Sequence, residues 1–255
     1  MYLNIFEGCP EKERFKKIIS FVNKQKPDIL GLSELNYWDD NKFTKLKEFQ
    51  NKTKFKEVIF CKASSDYNLA LLSNIDFKEL NVINKGFKTG MIKAKFTFNK
   101  TNLSVILTHL HSINEDLRLK EIKIIESNIK QKENTIIMGD LNSLSPLDNY
   151  NGNKLIKDMQ KLKSDKFGLG KLRRDAINKI MNMGFVDSVR RFSKSFEYSV
   201  PTTYNKDEAH FTKLRLDYIF ITKSLTDKLI NAKIIRTKET NQLSDHFPVI
   251  AEINF

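Results

Sequence analysis

The residues of this chain best placed to do chemistry stand at the edges of apolar runs. Glu34 ends the run Asp28–Ser33, Asp140 and Asn142 end TIIMGDLN, and His109 ends SVILTH. Asp217 begins DYIFIT, Asp245 and His246 precede the last apolar run, and Asn4 lies in the first. At such a place the backbone leaves the core and a side chain can be aimed into a cleft. Taken singly, each has an ordinary use, since carboxylates at strand ends often cap helices or solvate turns. Together they form an oxygen-rich donor set. Glu34, Asp140, Asp245 and the amide oxygens of Asn4 and Asn142 suit Mg2+, with Mn2+ as a substitute, because such hard ions prefer carboxylate, carbonyl and water. Histidines without thiolate partners argue against zinc, and Cys9 and Cys61 show no metal-ligand spacing. Hydrolysis of a phosphodiester needs in-line attack and stabilisation of charge on the equatorial and leaving oxygens, which a cation and oriented donors supply together. An aspartate that fixes one tautomer of a histidine is part of that chemistry.

To bring these side chains to one edge, the strands must begin and end in the right places. Residues Tyr2–Phe6 read as a short strand, Gly8-Cys9-Pro10 as a turn, and Glu11–Lys26 as a helix with Phe15, Ile18, Ile19 and Val22 on one face. Pro27 stops that helix and Asp28–Ser33 forms the next strand, a unit long enough for a parallel crossover. A second amphipathic helix covers Asn41–Asn51. The runs Val58–Cys61, Leu69–Ser73, Leu80–Ile83, Met91–Phe98 and Leu103–His109 are separated by polar clusters and read as an antiparallel meander. A helix over Asn114–Lys132 leads to the buried strand Thr135–Met138, and helices follow at Lys154–Lys163 and Leu172–Met183. Strands close the chain at Arg215–Thr222, Lys233–Arg236 and Pro248–Ile253. With no repeat or flexible linker, residues 1–255 read as one domain. Mixed sheets with helices outside them predict layers of helix, sheet, sheet and helix, because each sheet and each helix must bury a face.

Composition narrows the function classes. The chain has 44 Lys and Arg against 31 Asp and Glu, a formal charge of +13, and 40% hydrophobic residues, which excludes a disordered chain and a disulfide scaffold. No apolar stretch approaches the ~20 residues of a bilayer span. The start MYLNIFEGCPEKER lacks the features of a secretory signal, so the expected compartment is cytoplasmic. The positive charge favours an anionic partner, nucleic acid or a phospholipid surface. Segment 154–179 holds nine Lys or Arg and three Asp, and in it Lys171, Arg173 and Arg174 are the expected phosphate contacts, against the plainer reading of a solvated helix face. Tyr37, Trp38, Tyr67 and Asn68 are expected at the cleft edge, where an aromatic can stack a base. His111 either reaches substrate or serves structure, and His210, in the polar loop NKDEAHFTK, is expected to be exposed and inert.

The segments LNI, PDILGLSE, ILTHL, MGDLNS, RLDYIF and SDHFPV occur in one order from the start of the chain to its last strand. As a set they resemble the endonuclease/exonuclease/phosphatase superfamily of metal-dependent phosphoesterases, which includes DNase I, exonuclease III, mRNA deadenylases, neutral sphingomyelinases and inositol polyphosphate 5-phosphatases. The resemblance implies a four-layer α/β/β/α sandwich of two mixed, mainly antiparallel sheets with the site at one edge. It implies that Glu34 is the principal Mg2+ ligand, helped by Asn4 and Asp245. Asp140 would then orient or deprotonate the attacking water, and Asn142 would hold that water or the phosphate. His246, oriented by Asp217, would bond a non-bridging oxygen, and His109 would stabilise the phosphate or protonate the leaving oxygen. Exonuclease III-like repair enzymes carry tyrosine where this chain has His109, and an acidic residue where it has Phe6. Both departures favour the histidine-bearing branch. The expected function is a Mg2+-dependent phosphodiesterase, a monomeric nuclease acting on DNA or RNA. The alternatives are a phospholipid or phosphoinositide phosphoesterase, for which no amphipathic docking helix is evident, and a catalytically inactive binding module.

Overall fold

A computed structural model describes all 255 residues. The chain runs β1 (Tyr2–Asn4), α1 (Lys12–Gln25), β2 (Ile29–Ser33), α2 (Asp40–Thr53), β3 (Glu57–Cys61), β4 (Leu69–Ser73), β5 (Glu79–Ile83), β6 (Met91–Phe98) and β7 (Thr101–Thr108). It continues through α3 (Glu115–Ser127), β8 (Thr135–Asp140), α4 (Gly152–Lys161), α5 (Asp175–Asn182), β9 (Phe185–Asp187), α6 (Ser188–Phe192), β10 (Asp217–Thr222), β11 (Leu229–Ile234) and β12 (Val249–Ile253). One sheet has the order β11-β12-β1-β2-β4-β3 and the other β5-β6-β7-β8-β10-β9. Each sheet has a single parallel pair, β1 with β2 and β7 with β8, and both pairs are joined by a crossover helix, α1 and α3.

Alternation along the strands builds the layers. From β4, Leu69 and Leu71 enter the cluster between the sheets while Ala70 and Leu72 face α1 and α2. From β10, Ile219 and Ile221 enter the inter-sheet cluster while Tyr218 and Phe220 face α3 and α5. Three apolar interfaces therefore separate four layers, as the sequence predicts. Gly31 marks a close approach of the sheets: a Cβ there would lie 2.8 Å from Leu107 Cδ1 and 2.9 Å from the Met138 methyl. The helix periodicity of α1 also holds, with Phe15, Ile18, Ile19 and Val22 buried together.

Several local expectations are corrected. The meander does not stay in one sheet: β3 and β4 pair in the first, whereas β5, β6 and β7 pair in the second. The helix expected to reach Lys132 stops at Ser127, where the Asn128 side chain donates to the Ile124 carbonyl at 2.8 Å and takes the helix end. The helix expected from Leu172 begins at Asp175, because Arg173 N bonds the Phe167 carbonyl at 2.8 Å and holds the preceding residues in a loop. The strand expected at Lys233–Arg236 occupies Leu229–Ile234, and the three-residue β9 has no counterpart in the sequence reading.

Candidate active site

The first wall of the site comes from the β1–β2 pair. Their register sets Asn4 beside Ser33, so Glu34, the next residue, emerges next to Asn4. Asn4 Nδ2 donates to Glu34 Oε1 at 2.9 Å, the Glu7 N–H donates to Glu34 Oε2 at 3.1 Å, and the Phe6 N–H holds Asn4 Oδ1 at 2.9 Å. Glu34 has φ +60°, a left-handed conformation that a β-strand end does not adopt without surrounding constraint. The loop after β1 is anchored from below by Arg14, which is 2% exposed. Its guanidinium donates to the carbonyls of Ile5 (2.5 Å), Phe6 (3.1 Å) and Leu243 (3.2 Å), tying this loop to the one that carries Asp245.

The second wall comes from the β7–β8 pair. Gly139 has φ +154°, and a Cβ there would run into the Thr108 carbonyl, so only glycine lets β8 lie this close to β7 just before Asp140. The Leu110 N–H donates to the Asp140 carbonyl at 2.9 Å and Asn142 Nδ2 to the Leu110 carbonyl at 3.0 Å, which fastens His109 beside Asp140. Asp140 Oδ1 accepts the Asn142 N–H at 2.9 Å and supports a left-handed residue there, φ +48°. That leaves Asp140 Oδ2, which lies 3.5 Å from His109 Nε2 and 3.8 Å from His246 Nε2.

Strand β10 completes the group, since its antiparallel register places Asp217 directly opposite Asp140. Ser199 accepts the N–H groups of Leu216 and Asp217 on its hydroxyl, and its carbonyl accepts the Phe247 N–H at 2.8 Å. One serine thus joins the start of β10 to the segment Asp245-His246. As expected from sequence, Asp217 Oδ2 lies 2.7 Å from His246 Nδ1, with both residues buried. The buried Arg215 supports the same strand start through Asp148 (2.8 Å) and Asp187 (2.5 Å).

Glu34, His109, Asp140, Asn142, Asp245 and His246 line a cavity of about 290 Å³, while Asn4 and Asp217 touch lining residues without forming part of the wall; only 3 of the 17 lining residues are hydrophobic, a wall suited to a charged ligand. A larger apolar opening of about 550 Å³ lies at the other ends of the strands, around Met1, Ile136 and Phe255, and carries none of these groups. Burial raises the Asp217 carboxyl, with His246 opposing. Burial opposes charge on His246, but Asp217, Asp245 and Asp140 outweigh it and lift the imidazole well above its ordinary value. The pair therefore holds its proton more tightly than a free imidazole does. Asp245 is pushed up to about 7, first by burial, with Glu34 adding to the rise against His246 and the Ser244 hydroxyl. A buried carboxylate that a second carboxylate makes harder to ionise is a place where a cation is favoured.

The donor set fits a divalent ion. Two groups bring their ligand atoms within 4.8 Å of one another, His210 with Asp245 and His246, and Asp140 with Asp217 and His246. Both use His246, whose Nδ1 is engaged by Asp217. The all-oxygen alternative, Glu34 with Asp245, suits a hard ion better. Asn4 touches Glu34 through its amide nitrogen, so the role its geometry gives it is to hold that carboxylate.

The other predicted residues are placed differently. Asn68 is fully buried and bridges backbone, accepting the Ala63 N–H at 2.8 Å and donating to the Leu35 carbonyl at 3.0 Å. Arg173 is tied to Asp116 (2.8 Å) and Asp175 (2.7 Å), Arg174 lies over the Tyr150 ring, and Lys171 is exposed; none of the three lines the cavity. Trp38 is not at the cleft edge but 1% exposed, packed on Phe15 and Phe49 and donating to the Gly8 carbonyl, while Tyr67 does line the cavity. The His111 ring does not line the cavity, and its Nδ1 accepts the Ile113 N–H at 3.2 Å, a local structural contact. The expectation for His210 is overturned, because it is 3% exposed and its ring stands edge-on to His246 with centroids 5.3 Å apart. Sequence reasoning also missed Lys88, Lys166, Lys206 and Asp207 on the cavity wall. Nothing local distinguishes these lysines from the many others, although Lys166 and Lys206 belong to long polar loops of the kind that shape substrate clefts.

A family model described as the endonuclease/exonuclease/phosphatase family matches residues 1–246. A search of curated protein sequences finds no match. Among solved structures, an AP endonuclease from Archaeoglobus fulgidus superposes with a TM-score of 0.74 at 19% identity, covering 100% of this chain and 98% of that one. An endonuclease/exonuclease/phosphatase family protein from Leptotrichia buccalis superposes with a TM-score of 0.71 at 17% identity, covering 100% and 99%. Both share the two-sheet sandwich, and no helix of the present chain is long and apolar enough to cross a membrane. With the family matched over nearly its whole length and carboxylates and histidines gathered at one sheet edge, the chain belongs to the endonuclease/exonuclease/phosphatase family and is a phosphoester-hydrolysing enzyme.

Proposed function

We propose that the protein is a Mg2+-dependent phosphodiesterase, specifically a nuclease that hydrolyses DNA or RNA with water as nucleophile. The observation that carries this reading is the convergence of His109 and His246 on Asp140 Oδ2, in a cavity whose opposite wall presents Glu34 and Asp245. Glu34 and Asp245 would hold the ion, and Asn4 and the Glu7 N–H fix the Glu34 carboxylate in place. Bound there, Mg2+ supplies Lewis-acid stabilisation of charge on the phosphate. Asp140 accepts the proton of the attacking water through Oδ2, since Oδ1 is engaged by the Asn142 N–H. His246, held by Asp217, donates from Nε2 to a non-bridging oxygen. His109 protonates the leaving oxygen, and Asn142, with one amide hydrogen given to Leu110, has the other for water or phosphate.

Support for a nucleic acid comes from the +13 charge, from Lys88, Lys166 and Lys206 on the cavity wall, and from the AP endonuclease among the fold neighbours. His109 and Phe6 stand against an abasic-site specificity for this chain. The test is cleavage of supercoiled plasmid and of 5′-labelled single-stranded DNA and RNA, with Mg2+, with EDTA, and by Asp140→Asn. Metal-dependent cutting that the variant lacks is expected. No cutting of any of the three by folded, Mg2+-loaded protein would transfer the reading to lipid or small phosphoesters.

A further inference from the structure

We propose that Lys166 and His210 form a phosphate-oxygen subsite in the cavity wall, with Lys166 donating to a non-bridging oxygen of the substrate phosphate and His210 holding the ammonium in position. The subsite rests on the hydrolase reading above and adds two side chains that its chemistry does not use. Lys166 lines the cavity although it is only 4% exposed. Its ammonium has three N–H bonds and one hydrogen-bond partner within the chain, His210 Nε2 at 3.1 Å. The nearest carboxylate oxygen, Asp207 Oδ2, stands off at 3.7 Å and belongs to a side chain that is 43% exposed. A buried ammonium so incompletely partnered is unfavourable until an anion completes it.

The surroundings hold Lys166 in place from both sides. Arg118 of α3, itself fully buried, donates to the Lys166 carbonyl, and the Lys166 N–H donates to Ser164 Oγ at 3.3 Å. On the other side, the turn Glu208–His210 is capped by Asp207 Oδ1 on the Ala209 N–H at 2.7 Å, which fixes the His210 ring between Lys166 and His246. Burial pushes the Lys166 ammonium below the ordinary lysine value, with Asp207 and Asp140 opposing, and an arriving phosphate oxygen reverses that preference. The other cavity lysines are not held in this way. Lys88 reaches only Ser112 Oγ at 3.2 Å, and Lys206 is exposed.

The test is calorimetric titration of the Mg2+-loaded protein with inorganic phosphate, with thermal melting alongside, for wild type, Lys166→Met and Lys166→Arg. Methionine keeps the apolar stem and removes the charge, so Lys166→Met is expected to melt no lower than wild type and to bind phosphate roughly tenfold more weakly or worse. Lys166→Arg is expected to recover part of the affinity, because it stays charged when buried. Lys166→Gln replaces the methionine variant if that one fails to fold, with the same expectation. Unchanged phosphate affinity in the charge-free variant, a lower melting point with normal affinity, or no phosphate binding by wild type would each overturn the subsite. Failure of the hydrolase reading is seen separately: wild type would then cleave no phosphodiester while its phosphate affinity still depended on Lys166.

Discussion

Asp140 allows loop support and chemistry to be separated by two substitutions at one position. Its Oδ1 accepts the Asn142 N–H at 2.9 Å, while Oδ2 faces His109 at 3.5 Å and His246 at 3.8 Å. Asn at this position keeps an acceptor for Asn142, the left-handed residue, and replaces only the oxygen proposed to accept the proton of water. Loss of a general base costs about 10²–10⁴ in rate, or about 3–5 kcal/mol of barrier at 1.36 kcal/mol per decade. Asp140→Asn should therefore lose that much in single-turnover cleavage while its stability stays within about 1 kcal/mol, a melting shift of about 2–4 °C for a chain of this size. Asp140→Ala removes the acceptor as well and leaves a buried N–H unpaired, so it should lose about 1–3 kcal/mol of stability in addition. The measurements are single-turnover cleavage with Mg2+ and thermal melting on the same preparations. If the Asn variant cleaved within threefold of wild type, or lost stability and rate together as the Ala variant does, the assignment of the two oxygens would be wrong.

Arg14→Met should cost about 3 kcal/mol or more, because three buried carbonyls on two loops lose a charged donor at once. A melting point within about 2 °C of wild type would show that the loops do not depend on this anchor. Glu121, 2% exposed, has its carboxyl pushed up to about 7, first by burial, with the Lys88 and His111 N–H groups and Arg118 opposing. The fold binds that proton more tightly than the unfolded chain does, so its contribution is present below the unfolded value near 4.5 and is lost as pH rises through about 7. Over that window the loss is about 3 kcal/mol. Urea unfolding at pH 5, 6 and 7 should show a smaller decline in Glu121→Gln than in wild type, on top of a constant offset from one lost acceptor; parallel declines would contradict it.

What the sequence made legible was local. Glu34, His109, Asp140 and Asp217 follow or begin runs whose apolar character marks a strand, and strand ends can be read without knowing what packs on them. The pairing of Asp217 with His246 was legible only through the family resemblance, since 29 residues separate them and the link is made by Ser199, which has no distinctive context. The remainder depends on tertiary packing. Trp38 reads as a loop aromatic, and only the crossing of α1 and α2 buries it. His210 sits among charged residues that predict exposure, yet its turn folds back over the cavity floor. Leu80 is 52% exposed and Val82 38%, so β5 carries no burial signal that could tell which sheet it joins.

The two parallel pairs explain why the site lies where it does. In each sheet the chain crosses once through a helix and returns beside the strand it left, and both returning strands end in an acidic residue: Glu34 after β2 and Asp140 on β8. Their partners end in the residues that meet those carboxylates, Asn4 on β1 and His109 after β7. Two similar crossovers packed face to face therefore supply both walls, and β10 with the segment before β12 has only to add Asp217, Asp245 and His246. Central strands buried on both faces are the least mobile part of such a sandwich, which is what positioning within a few tenths of an ångström requires. The groups set apart from this frame, Tyr67, Lys88, Lys166 and Lys206, come from connecting segments. Substitutions there are expected to change which phosphoester is held, while substitutions at the strand ends change whether it is cut.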